Sequence, residues 1–221
     1  MALVSENLQL VKRDREPVSS WALYHLLKWS VISPVLHSYF RVRIYGAERV
    51  PKTGPLIVAS NHASDFDPPI VANCTGRPVA FMAKEELFNV PLLAPAIRLY
   101  GAYPVKRGTG DRGAIRAAMD YLDAGWAAGV FIDGTRRPDG RIHNPKLGAA
   151  LIAAKTQTPL LPMSLWGTEQ IFAKGNVPCP VSVTVRIGEL IDPPRSSNRA
   201  ELEAVTQRCT DAIHALHALG R

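Results

Sequence analysis

The chain has 221 residues, 47% of them hydrophobic and 20% charged, enough for one α/β domain with a sizeable core and too apolar for a long disordered stretch. With 26 Lys+Arg against 19 Asp+Glu, the net charge is +7, which favours an anionic partner: an acidic membrane surface, a phosphorylated substrate or nucleic acid. Cys74, Cys179 and Cys209 are far apart, odd in number and without a C-x-x-C; they suggest neither a disulfide framework nor a zinc site, and a reducing cytosolic setting fits them.

Met1 to Glu16 has no continuous apolar core and ends in the charged run Lys12 to Glu16, so no signal peptide is read there. Trp21 to Phe40 is rich in Trp, Leu, Tyr and Val but is interrupted by His25, Lys28, Pro34 and His37, and so fails the requirement for a spanning helix. It reads as an amphipathic interfacial segment, with Trp21, Tyr24, Leu27 and Trp29 inserted and Lys28 outward. A helical hairpin packed on the domain is the equal alternative. Residues 1–39 are therefore expected to be an N-terminal membrane-interface helical segment, and residues 40–221 an α/β domain.

From Phe40 to Tyr45 the residues alternate as in a half-exposed strand. Gly54-Pro55 is a turn, Leu56–Ala59 a short apolar strand, and Asn61 to Pro69 a polar loop. Strands are expected at Val79–Ala83, Ala102–Lys106, Val130–Ile132, Leu160–Trp166 and Val181–Ile187. Helices are expected at Pro91–Leu99, Asp111–Ala124 and Leu147–Lys155. Asn198, with Glu201 three residues on, caps a last helix whose stripe is Leu202, Val205, Cys209, Ile213 and Leu216. The alternation implies a mixed, largely parallel sheet covered by helices on both faces.

The segment Asn61-His-Ala-Ser-Asp-Phe-Asp67 follows the Leu56–Ala59 strand, and strand ends are where α/β folds place chemistry. A neutral imidazole can take a proton from a hydroxyl as that hydroxyl attacks a carbonyl. It needs a carboxylate on its other nitrogen to fix the tautomer and stabilise the imidazolium, as in the serine-protease triad. Asp67 reaches His62 if Asp65–Pro68 turns into a helix start; Asp65 is the competing carboxylate, or the cap of that helix. G-x-S-x-G is absent and no cysteine is near, so the base is expected to activate the substrate's own hydroxyl, with no covalent acyl-enzyme.

The His62–Asp67 spacing resembles the H-x4-D motif of the glycerolipid acyltransferases, the lysophosphatidic acid acyltransferase family. Three later segments resemble the family's other blocks in the same order: Gly101-Ala-Tyr-Pro-Val-Lys-Arg107, Phe131-Ile-Asp-Gly-Thr-Arg136 and Thr158-Pro-Leu-Leu-Pro-Met163. Here Asp133 stands where the family usually has Glu, and Ile132 where Pro is common. The resemblance implies that His62 and Asp67 are catalytic and that Lys106, Arg107, Asp133, Gly134, Thr135 and Arg136 bind the glycerol phosphate of the acceptor. It also implies that Pro159 and Pro162 shape a wall of the thioester site. Planar guanidinium suits phosphate, and the backbone N–H groups of Gly134-Thr135 add donors; Arg137 is read as a solvated charge.

The implied reaction moves a fatty acyl group from acyl-CoA or acyl carrier protein to 1-acyl-glycerol 3-phosphate, giving phosphatidic acid. It needs no metal or cofactor beyond that co-substrate. Glycerol 3-phosphate, another lysophospholipid or an amino-lipid are the alternative acceptors. The expected setting is a peripheral or monotopic one at an anionic membrane, on the cytoplasmic face. A rival reading is a dinucleotide-binding oxidoreductase: Gly108-Thr-Gly-Asp-Arg-Gly113 fits G-x-G-x-x-G, with Asp133 20 residues beyond. A basic lipid-binding module is a third. Nucleic acid is not an expected partner, because the basic residues are not interleaved with aromatics on one face.

Overall fold

The computed structural model describes residues 18–91, 93–99, 101–105 and 112–221. Helix α1 (Val18–Leu27) runs through a π-helical turn, Lys28–Ile32, into α2 (Ser33–Ser38). Seven strands follow: β1 (Arg43–Tyr45), β2 (Leu56–Ser60), β3 (Val79–Lys84), β4 (Ala102–Val105), β5 (Ala127–Phe131), β6 (Leu160–Trp166) and β7 (Thr184–Ile187). Between and after them lie α3 (Asp67–Thr75), α4 (Leu93–Leu99), α5 (Arg112–Asp123), α6 (Gly148–Thr156) and α7 (Arg199–Ala218).

The sheet order is β1-β7-β6-β2-β5-β3-β4. All neighbours are parallel except β6 and β7, which are antiparallel. This is the mixed, largely parallel sheet expected. Every residue of β2 is buried, as a central parallel strand requires. Its side chains alternate between two cores. Leu56 and Val58 join Leu161, Met163, Ile70 and Val71 on the face covered by α1, α2 and α3. Ile57 faces the opposite way, with Ala128, Leu160, Ile152 and Val205 under α5, α6 and α7.

Several boundaries differ from expectation: β1 and β7 begin at Arg43 and Thr184 rather than at Phe40 and Val181, and two further differences have a clear cause. The polar stretch after β2 is a loop only as far as Phe66, because Asp67 starts α3, with Pro68 and Pro69 in its first turn. Proline is tolerated there, since the first turn has no intrahelical partner for its N–H. The fifth strand begins at Ala127 rather than Val130, because Ala127, Ala128 and Gly129 pair with both β2 and β3. Asn198 caps α7 as expected, its Oδ1 accepting from the Glu201 N–H at 2.9 Å.

The N-terminal segment runs antiparallel to α3. Its start lies by the last turn of α3, where Tyr24 Oη donates to the Ala72 carbonyl. Its end reaches the first turn, where Phe40 meets Phe66 edge-on at 5.2 Å. Lys28 does not point outward: its Nζ donates to the Asn73 carbonyl at 2.9 Å, which overturns the outward placement. The last turn of α3 offers the ammonium a carbonyl partner there, where a cation is favoured. Among the described residues, the exposed large apolar side chains of the segment are Val18, Trp21, Leu26, Trp29, Val31, Val35 and Tyr39.

Candidate active site

Three parallel strands end together at one edge of the sheet: Ser60 of β2 is level with Phe131 of β5 and Met163 of β6. The loop after β2 carries His62, the loop after β5 carries residues 133–140, and β6 runs on to Trp166. Asn61 ties the three together. Its side-chain amide donates to the Gly140 and Leu165 carbonyls at 2.6 and 2.7 Å, and its Oδ1 accepts from the Leu165 N–H at 2.8 Å. With that clamp the chain must turn after Asn61, which sets His62 at the mouth of the sheet.

His62 is 7% exposed and Asp67 fully buried. His62 Nδ1 lies 2.7 Å from Asp67 Oδ2. The same oxygen accepts from the backbone N–H groups of Ala63 at 2.6 Å and Ser64 at 2.8 Å. A carboxylate oxygen with two backbone donors is an acceptor for the ring as well, so Nδ1–H donates to it and Nε2 is the nitrogen turned away from the carboxylate. Nε2 makes no hydrogen bond among the described residues. The ring is further fixed by Phe131, stacked at 3.9 Å and 12°. Phe131 in turn packs on Phe81 at 5.4 Å. The Phe81 ring fits because residue 129 is glycine: a Cβ there would lie 2.1 Å from it.

Asp65 is the exposed carboxylate of the pair. It neither caps α3 nor meets the imidazole; it forms an ion pair with Arg136. That pair brings the Arg136 guanidinium to the His62 loop. Exposed pairs of this kind add little stability, and a guanidinium has five donors, more than this pair engages.

Asp133 faces inward. It accepts from Arg137 Nε at 2.6 Å, from the Asn144 N–H at 2.7 Å and from the His143 N–H at 3.2 Å. Burial opposes its ionisation, but these hydrogen bonds outweigh burial and hold its carboxyl below the ordinary value. Its work here is to shape the loop after β5. Gly134 has a left-handed backbone with φ 66°, and its N–H donates to the Phe131 carbonyl at 2.9 Å. The turn thus uses that N–H, which is not free for substrate as the sequence suggested. Thr135 is exposed at the tip. Arg137 is not the solvated charge expected. Beyond its bond to Asp133, its N–H donates to the His62 carbonyl at 2.8 Å.

Lys106 and Arg107 lie outside the described residues, as do residues 108–111 of the glycine-rich motif. The strand before them, β4, ends at the same edge of the sheet, three strands from β2, roughly 14 Å away at ordinary strand spacing. The carboxylate that a dinucleotide reading would place on a ribose is Asp133, already committed within its loop.

Asn61, Phe131 and Arg137 are site residues that the sequence reading passed over. Only Asn61 carried a local signal, an amide just past the end of a fully apolar strand.

A buried His–Asp pair thus lies at the carboxyl edge of a mixed α/β sheet, with an arginine at its rim. The acyltransferase family model matches residues 41–166, and the chain belongs to that family. It is 30% identical over 151 residues to a chloroplast 1-acyl-sn-glycerol-3-phosphate acyltransferase of Arabidopsis thaliana, a match covering 67% of this chain and 42% of that protein. A Borreliella burgdorferi protein named 1-acyl-sn-glycerol-3-phosphate acyltransferase is 30% identical over 156 residues, or 69% of this chain and 62% of its own length. The chain thus spans about half the length of several curated relatives. A Bacillus subtilis protein of the same name is 25% identical, with 80% of this chain and 91% of that one covered. The crystal structure of the 1-acyl-sn-glycerophosphate (LPA) acyltransferase from Thermotoga maritima superposes with a TM-score of 0.69 at 29% identity, covering 88% of this chain and 82% of that one.

Proposed function

We propose that the chain transfers a fatty acyl group from an acyl thioester, on CoA or acyl carrier protein, to the free hydroxyl of 1-acyl-glycerol 3-phosphate. The product is phosphatidic acid. The observation that carries the mechanism is the His62–Asp67 contact with Nε2 left open. His62 Nε2 takes the hydroxyl proton as the oxygen attacks the thioester carbonyl. Asp67 stabilises the imidazolium. The tetrahedral intermediate collapses, the C–S bond breaks, and the departing thiolate takes the proton back. One C–O bond has replaced one C–S bond, with no acyl-enzyme and no metal or cofactor in the step.

Arg136, with Lys106, Arg107 and the Thr135 hydroxyl, is the proposed anchor for the acceptor phosphate. Tethering the acceptor makes the attack effectively intramolecular, which is the larger part of the acceleration. The names of the relatives support this acceptor.

The enzyme works at an anionic lipid surface, as a peripheral or monotopic protein on the cytoplasmic face. Supporting this are the exposed Trp21, Leu26 and Trp29 of the N-terminal segment and the net charge of +7. No helix among the described residues is long and apolar enough to cross a membrane.

The test is a purified-protein assay in which 1-acyl-glycerol 3-phosphate, glycerol 3-phosphate and other lysolipids are each offered with acyl-CoA and with acyl carrier protein thioester. Phosphatidic acid formed by the parent chain and not by His62→Ala is expected. Equal turnover by His62→Ala overturns the mechanism, and turnover only of another acceptor overturns the substrate.

A further inference from the structure

The chain holds helix α3 at both ends by different means. At its start, Asp67 Oδ2 accepts three hydrogen bonds, from His62 Nδ1 and the N–H groups of Ala63 and Ser64. Asp67 Oδ1 is buried with no hydrogen-bond partner. One oxygen of this carboxylate thus joins the start of α3 to both the imidazole and the loop that carries it. At its other end the helix closes on Gly76 in a left-handed conformation, φ 73°.

The last-turn groups of α3 are held from outside by the N-terminal segment. Tyr24 Oη donates to the Ala72 carbonyl. Lys28 Nζ donates to the Asn73 carbonyl at 2.9 Å. Ser33 and the Asn73 side chain are linked by contacts of 3.1 and 3.3 Å. Lys28 is the charged member of this set, at the end of α3 where the helix dipole favours a cation. It is half buried, and its Nζ lies 5.9 Å from the Tyr24 ring centre and 5.4 Å from that of Trp29. Trp29 belongs to the exposed apolar face, 67% accessible, beside Leu26 at 64%. One lysine thus joins the apolar face of the N-terminal segment to the far end of the helix that bears Asp67.

We propose that Lys28 is a positioning residue for the His62–Asp67 pair, acting through α3 and coupling the seating of the N-terminal segment to the orientation of the imidazole. The kinetic part of this proposal rests on the acyl transfer assigned above. Asp67 and Asn73 are six residues apart, about 9 Å along one and the same helix. Misplacement of a reacting group by about 1 Å costs on the order of 100-fold in rate, so a displacement of a few tenths of an ångström is enough to register in turnover.

The full chain and its Lys28→Met and Lys28→Arg variants are compared on vesicles containing 1-acyl-glycerol 3-phosphate. Thermal unfolding and the proton NMR resonance of His62 Nδ1–H are recorded alongside. Lys28→Met is expected to unfold cooperatively and to shift that resonance. Its kcat should fall roughly 10-fold while KM for acceptor and thioester stays within about 2-fold, and Lys28→Arg should restore both readouts. An unmoved resonance with the parent's kcat overturns the proposal. So does a loss of kcat that only tracks a loss of folded protein and is not rescued by arginine. If Lys28→Met does not fold, Lys28→Gln is the substitute, and an unmoved resonance there is equally decisive. A parent chain that acylates none of the acceptors removes the assigned reaction, but the resonance still judges the coupling.

Discussion

The imidazole of His62 lies face to face with Phe131, the ring centres 3.9 Å apart and the planes 12° from parallel. Phe131 ends β5 and His62 lies just past the end of the neighbouring parallel strand β2, so the imidazole is held by its place at the sheet edge as well as by its carboxylate. Phe131→Ala removes that plate. Turnover should fall about 10-fold, through an imidazole free to tilt, and stability should drop by about 2–3 kcal/mol for a large, partly buried aromatic. Urea denaturation separates the two effects.

Gly129→Ala tests the same stack from beneath, where the added methyl would meet the Phe81 ring. Overpacking costs about 1–3 kcal/mol, and calorimetry should show a lowered melting temperature even though no catalytic group has changed.

Asp67→Asn should keep the fold and lose most of the activity. The amide presents either its N–H₂ or its oxygen to the ring, and cannot stabilise an imidazolium as a carboxylate does. By analogy with the serine-protease triad, kcat should fall on the order of 10³- to 10⁴-fold. A loss below about 10-fold would assign Asp67 to loop-building alone.

Neighbouring arginines should behave oppositely. Arg136→Ala should raise KM for the phosphorylated acceptor with little change in melting temperature, because its pairing with Asp65 is exposed. Arg137→Ala should lower the melting temperature, because Asp133 is left buried without its partner. The pH dependence follows from the same group. The Asp133 carboxyl is lower in the fold than in the unfolded chain, so its contribution to stability is complete above the ordinary carboxylate value, about 4. It is lost as pH falls through the folded value. Urea midpoints measured from pH 6 down to pH 3 should drop more steeply for the parent than for Asp133→Asn.

Thiol titration checks the core. Burial pushes the thiols of Cys74 and Cys209 up to about 12, whereas Cys179 is partly exposed. Native protein should yield one fast thiol to a disulfide reagent, and unfolded protein all three. Two fast thiols in the native state would mean that the N-terminal segment does not cover Cys74.

What could be read in advance was local. His62 and Asp67 are five apart on one turn, and β2 and β6 announce themselves as continuous apolar runs. The start of α3 could be read only as a condition, a helix start within Asp65–Pro68, because Asp65, Asp67, Pro68 and Pro69 also look like loop chemistry, and a helix that short gains most of its stability from burial. Arg136 and Arg137 are indistinguishable as letters; what separates them is which one finds Asp65 and which finds Asp133. Asn61 binds Leu165, 104 residues away, and Lys28 finds Asn73 45 residues away. Contacts at that range leave no periodicity behind.

The lone strand reversal, β6 against β7, decides where this architecture can be edited. It puts the connection of residues 167–183 at the edge of the sheet where His62 lies, while the connection from β1 to β2 turns on the opposite rim. Grafting a longer hairpin between β6 and β7 would roof the entrance and screen incoming molecules by size. The same graft between β1 and β2 would hang beneath the sheet and leave selectivity untouched.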